Sequence, residues 1–144
     1  MKNIPAWLVF ASGSAFFAGA TAILAKLGVE GLSSNLATFI RTAVVLLITA
    51  GLVSARSEWA WPAQGTGVEP LTFLVLSGVA TGLSWLCYFR ALQLAPVSLV
   101  APVDKLSVAF AIVLGIVILG EPLTWQLALG ALLIVAGVLV IALA

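Results

Sequence analysis

The sequence predicts an all-α membrane protein, a bundle of five transmembrane helices. Three observations carry that expectation. The 144 residues are 63% hydrophobic and 8% charged, with no histidine and a mean hydropathy of +1.27. A soluble domain carries roughly 45–50% apolar and about 25% charged residues. Too little polar surface exists here to coat a water-soluble globule, which excludes a soluble enzyme. Second, the few charges punctuate the chain and leave apolar stretches of about 20 residues, the length that crosses a hydrocarbon core about 30 Å thick. Third, an isolated strand leaves its backbone unsatisfied in lipid, so each stretch reads as a helix. The length admits at most about six such spans, and the punctuation marks five.

The first span, residues 5–27, is built on the 23 uncharged residues between Lys2 and Lys26. Its start, Lys2-Asn3-Ile4-Pro5, and the small residues Ala20-Thr21-Ala22 imitate a signal peptide and its cleavage site. A signal h-region is only about 7–15 residues, so the stretch is read as a retained helix. The second span, 34–54, carries Arg41 inside it. The third covers 70–94, the fourth 97–119 and the fifth 123–143. Residues 28–33, Ala95-Pro96 and Gly120-Glu121-Pro122 form short connections. Pro96 and Pro122 fall where a helix can begin without losing a needed N–H. The longer loop, 55–69, holds Trp59, Trp61 and Pro62 among Gly65, Thr66 and Gly67. Tryptophan beside an apolar span belongs to the headgroup layer, so anchoring is preferred here to ligand gating. No internal repeat or low-complexity segment divides the chain, which reads as a single membrane domain over 1–144 with nothing appended.

Small residues recur at helical spacing: Ala11, Ala15 and Gly19; Gly78 and Gly82; Ala111 and Gly115; Gly130 and Gly137. Close backbone approach through such residues is a main source of helix association in lipid. Ordinary bundle packing is the preferred reading, with the neighbour either inside the chain or in a second subunit.

The charges within the spans are the functional candidates. An ionisable group at the membrane centre costs about 2.5–3.5 kcal/mol on insertion scales. Arg41 lies about two turns into the second helix, Asp104 and Lys105 about two turns into the fourth, and Arg90 about one turn from the end of the third. Alternating spans put all of them toward one membrane face. Antiparallel pairing about Ala95-Pro96 sets Arg90 roughly level with Pro102 and Asp104, a geometry that admits an Arg90–Asp104 ion pair. Asp104 and Lys105, about 100° apart on a regular helix, should not pair with each other. As a polar cavity, this set leans positive and suits an anionic or zwitterionic solute. The structural alternative has Arg41 and Lys105 snorkelling to the interface, with Arg90–Asp104 pinning two helices. That alternative is preferred for Arg41 and Arg90. The cavity is preferred for Asp104 and Lys105, because Pro102 weakens the helix beside them. Trp85, Tyr88 and Phe89 form an aromatic group able to stack on a solute, although a lipid-facing or core role is commoner. Glu121 reads as an acid favoured by the dipole of the following helix rather than as a proton carrier.

Without histidine and with one cysteine, Cys87, the chain offers neither a metal site nor an intrachain disulfide. No nucleophile–base pair is visible, no cofactor is called for, and scattered Ser and Thr are expected to bond to their own helices. The net charge of +1 argues against a nucleic-acid partner.

The run Tyr88-Phe89-Arg90-Ala91-Leu92, followed by Ala95-Pro96-Val97-Ser98-Leu99-Val100-Ala101-Pro102, resembles the third-to-fourth-helix stretch of the EamA domain of the drug/metabolite transporter superfamily. Leu119-Gly120-Glu121-Pro122-Leu123-Thr124 and Gly130-Ala131-Leu132-Leu133-Ile134-Val135-Ala136-Gly137-Val138 resemble its last two helices. The resemblance is specific over residues 84–143 and rests on pattern before them; order and spacing carry it more than any single motif. It implies a five-helix unit that moves small metabolites across the cytoplasmic membrane. Family members often join two inverted units in one chain with the solute between them, whereas this chain holds one. An odd number of helices inverts successive copies, so a lone unit rebuilds that architecture as an antiparallel homodimer, the inverted-repeat plan of secondary transporters.

Charge placement bears on orientation. The N-terminal face carries Lys2 and Arg56; the opposite face carries Lys26 and Arg90, with Arg41 and Lys105 buried toward it. Two against two gives the positive-inside rule nothing to act on, and counting the buried pair favours an outside N-terminus only weakly. Dual topology is the expectation. The reading is therefore a multi-pass transporter subunit that works by alternating access on a small metabolite or drug-like solute. Asp104 and Lys105 are the first candidates for solute or proton contact, followed by Arg41, Arg90, Trp85 and Tyr88. The alternatives are a non-transporting assembly or regulatory subunit that needs a second five-helix chain, and a membrane enzyme with Glu121 as its only lone acid.

Overall fold

The computed structural model describes residues 4–60 and 68–143. It is all-helical: α1 (Ala6–Gly28), α2 (Ser34–Ala55), α3 (Val68–Leu94), α4 (Val97–Asp104), α5 (Leu106–Leu119) and α6 (Trp125–Ala142). Among the described residues, five stretches are long and apolar enough to cross a membrane, α4 and α5 together making the fourth, Val97–Leu119. Large apolar side chains point outward along every span, as Phe10 at 79% and Val117 at 75% exposure show. In water this would be an inverted protein; in lipid the acyl chains cover those faces.

Each boundary has a local cause. Ser33 ends the connection after α1, and its hydroxyl accepts the Leu36 N–H at 3.3 Å, satisfying an orphan donor of α2. Thr124 does the same for Leu127 at the start of α6. Neither Pro122 nor Glu121 begins that helix, contrary to expectation: the chain is still non-helical there, and a hydroxyl rather than a carboxylate supplies the cap. Pro96 is the N-cap of α4, as its missing N–H allows. Gly120 ends α5 in the left-handed region, φ +70°, and its N–H reaches the Gly115 carbonyl. Thr38, Thr42 and Thr49 donate to carbonyls one turn back, those of Ser34, Thr38 and Val45. Trp59 is exposed and donates from Nε1 to the Ser54 hydroxyl at 2.9 Å. Trp61, Pro62, Gly65, Thr66 and Gly67, with which it was grouped, lie outside the described residues, as does Lys2.

The fourth span is not the continuous helix expected over 97–119. Pro102 cannot donate to the carbonyl one turn back, and its ring crowds that carbonyl. The ladder tightens in response: Lys105 N–H donates to the Pro102 carbonyl at 2.9 Å and Val108 N–H to the Lys105 carbonyl at 3.0 Å, both three-residue steps. Lys105, at φ −71° and ψ −6°, separates α4 from α5.

The chain forms two compact units, residues 1–24 with 94–144 and residues 25–93. In the first, α6 packs against both α4 and α5, with Val100, Gly115 and Val138 buried. In the second, Ala25, Val29, Ala37, Thr38, Phe89 and Leu92 are buried, Leu92 completely. Within each unit the glycines of the stripes make no close contact with a second helix. A Cβ placed on Gly19, Gly78, Gly82, Gly130 or Gly137 meets no neighbouring atom within 4 Å. On Gly115 it meets Glu121 Oε2 at 2.9 Å, a side chain of the following turn rather than a second helix.

Candidate functional site

Two polar clusters interrupt the apolar spans, one in each unit. In the unit of residues 25–93, α2 contributes Arg41 and α3 contributes Trp85 and Phe89, which share a face because they are one turn apart. The Arg41 guanidinium carbon sits 4.1 Å from the centre of the Trp85 ring and 5.7 Å from that of Phe89. Tyr88 meets Phe89 edge-on, their ring centres 6.4 Å apart. A cation over an aromatic face gains about 0.5–1 kcal/mol when exposed and about 2 when desolvated. Set against an insertion cost of about 2.5–3.5 kcal/mol, the rings offset only part of what the half-buried Arg41 needs. The structure thus gives Arg41 a defined aromatic seat, where the preferred expectation was a cation reaching freely for the interface.

At the end of the same unit, a chain of hydrogen bonds ties α1, the following turn and α3 together. Lys26 Nζ donates to the Leu92 carbonyl at 2.6 Å, in the last turn of α3, where the helix dipole favours a cation. Gln93 Nε2 donates to the Leu32 carbonyl at 2.7 Å, and Arg90 Nη1 donates to Gln93 Oε1 at 3.0 Å. Lys26 and Gln93 were not among the predicted site residues. The available signal was their position: each is a polar side chain close to the end of its helix, and alternating spans bring those ends to one side.

In the other unit, Lys105 Nζ lies 3.1 Å from Asp104 Oδ2, with side chains 53% and 35% exposed. The expectation that they cannot pair is overturned. It assumed a regular helix, and the helix stops between them: Lys105 has ψ −6° instead of about −42°. A pair this exposed contributes only about 0–1 kcal/mol to stability. It is a contact that can open at low cost, beside a turn that is already irregular. Each member of the anticipated Arg90–Asp104 pin therefore has a partner in its own unit, Gln93 for Arg90 and Lys105 for Asp104. Of the predicted residues, the structure brings together Arg41 with Trp85, near Tyr88 and Phe89, and Asp104 with Lys105.

The model of the EamA-like transporter family matches residues 5–143, all five spans. A protein of Sinorhizobium sp. named as an uncharacterised transporter in the cobO 3' region is 46% identical over 136 residues, which are 94% of this chain and 96% of that relative. The relative is thus also about one five-helix unit long. No solved structure matches.

Proposed function

The chain belongs to the EamA-like transporter family, and on that premise we propose that it carries a small metabolite or drug-like solute across the cytoplasmic membrane by alternating access, as an antiparallel homodimer. The observation that carries the proposal is the interruption of the fourth span, where α4 gives way to α5 at Lys105 and an exposed Asp104–Lys105 pair sits on the break. Broken spans with polar groups at the break are a recurring way for secondary transporters to bind solute and change shape. Tight three-residue turns inside a helix are easier to bend than a full ladder, so the break is the hinge of the cycle. The Asp104–Lys105 pair exchanges its internal contact for contact with solute or a proton. Arg41, Trp85, Tyr88 and Arg90 supply further polar and stacking surface.

The homodimer follows from the odd number of spans and from the charge count. Two oppositely inserted copies give the inverted repeat, and the balanced Lys and Arg residues allow both insertions. The one-unit length of the relative supports the same plan.

The test is uptake into liposomes containing the purified protein, with mixtures of 14C-labelled amino acids and 2-oxo acids outside. The protein is expected to accumulate label from one of them. Asp104→Asn inserts normally and loses flux about tenfold, a change of about 1.4 kcal/mol. Full flux in that variant removes Asp104 from the mechanism.

A further inference from the structure

Arg41 stands apart from the other charges in the spans. Asp104 and Lys105 neutralise each other, and Arg90 donates to Gln93 near a helix end. Within residues 25–93 no described carboxylate lies within 4 Å of the Arg41 guanidinium, and it donates no hydrogen bond there; it meets the rings of Trp85 and Phe89, with Tyr88 close enough to act on its charge. Those rings respond to its positive charge but offer no lone pair to its N–H groups. No side-chain nitrogen or oxygen among the described residues is both sealed off and unpartnered. Arg41 is half-buried, so part of its side chain stays accessible.

The result is a planar cation held against two rings, with no carboxylate of its own unit paired to it. Guanidinium is matched by carboxylate and phosphate, which take two parallel N–H···O bonds. Rings take the face of a guanidinium, whereas an oxyanion takes its N–H edge. A single negative charge completes the site.

We propose that Arg41, seated on Trp85 and Phe89, is a receptor for one oxyanionic group, a carboxylate or a phosphate. This deepens the transport reading and rests on it for assigning the anion to the solute. The same chemistry also receives the phosphate of a lipid headgroup, and the experiment separates the two sources.

Trp85 reports on its own neighbour. In the full chain, Trp7, Trp59, Trp61 and Trp125 are replaced by Phe, leaving Trp85 as the one indole. The protein in phospholipid-free maltoside micelles is titrated with butyrate, with inorganic phosphate and, at matched ionic strength, with the neutral isostere butyramide. Trp85 emission is expected to change saturably with butyrate or phosphate and not with butyramide. Arg41→Gln abolishes the change, while Arg41→Lys, which keeps the charge but not the fork, weakens it about tenfold or more. A monodisperse elution profile shows that each variant is folded. No saturable change with any anion overturns the proposal, as does an equal response to butyramide or an undiminished response in Arg41→Gln.

Mixed micelles with phosphatidylglycerol or diacylglycerol distinguish the sources. Response to butyrate or free phosphate upholds a solute; response to phosphatidylglycerol alone overturns the solute assignment and makes the anion a lipid headgroup. A protein that shows the Trp85 response but moves no label refutes the transport reading and leaves the anion site standing. Full flux in Arg41→Gln, with the response lost, takes Arg41 out of the transport path without touching that reading.

Discussion

Two glycines on α5 and its end, close in sequence, have opposite requirements. Gly120 has φ +70°, where a Cβ costs roughly 1–2 kcal/mol, and nothing crowds it. Gly115 has ordinary helical geometry, and a Cβ there meets only the end of the flexible Glu121 side chain, which can swing away. Ala also gains about 1 kcal/mol over Gly inside a helix. Gly120→Ala is therefore expected to lower the thermal unfolding temperature in detergent, and Gly115→Ala to leave it unchanged or raise it. The reverse order would contradict the account of how α5 ends. Glu121 itself was read from sequence as a helix-start acid, because a carboxylate just before an apolar run has that appearance. The backbone decides otherwise: Thr124 holds the cap, and the Glu121 carboxylate lies against Gly115. The seat of Arg41 was partly legible. Arg41 and Trp85 are similar distances from the facing ends of α2 and α3, so an antiparallel pairing sets them roughly level. Rotation of the helices about their axes, which decides whether they touch, is not written in the spacing.

At the scale of the element, the spans were legible because the bilayer imposes one length and one composition on anything that crosses it. The fourth span shows where that reasoning stops. Pro102 was visible and its weakening effect foreseen, but the separation falls at Lys105, where three-residue hydrogen bonds replace the regular ladder. That displacement explains why the regular-helix argument against an Asp104–Lys105 pair failed. Pro102→Ala restores the missing donor and a good helix former, a change of up to about 3 kcal/mol in favour of a continuous helix. If the break is the hinge, the variant unfolds at higher temperature and transports more slowly. Unchanged flux with raised stability would show that bending there is not part of the cycle.

At the scale of the whole molecule, many large apolar side chains are exposed within their units, and the glycines of the small-residue stripes make no close helix contact there. The sequence showed that helices carrying such stripes pack against something, and packing through them inside the chain was one of the two options. Within each unit, no such contact is made at Gly19, Gly78, Gly82, Gly130 or Gly137. Membership of the EamA-like transporter family fixes the broad activity, while the pairing of units depends on insertion. Insertion responds to Lys and Arg near the span ends, and the proposed two orientations rest on their balance in this chain.

The most direct test of the antiparallel homodimer labels single cysteines introduced at Asn3 and Ala144, in a Cys87→Ser background, on intact and on lysed cells. The account predicts that each position is labelled partly from outside and partly only after lysis, because both orientations coexist. One terminus always outside and the other always inside would contradict it, and would direct the search to a second five-helix chain as partner.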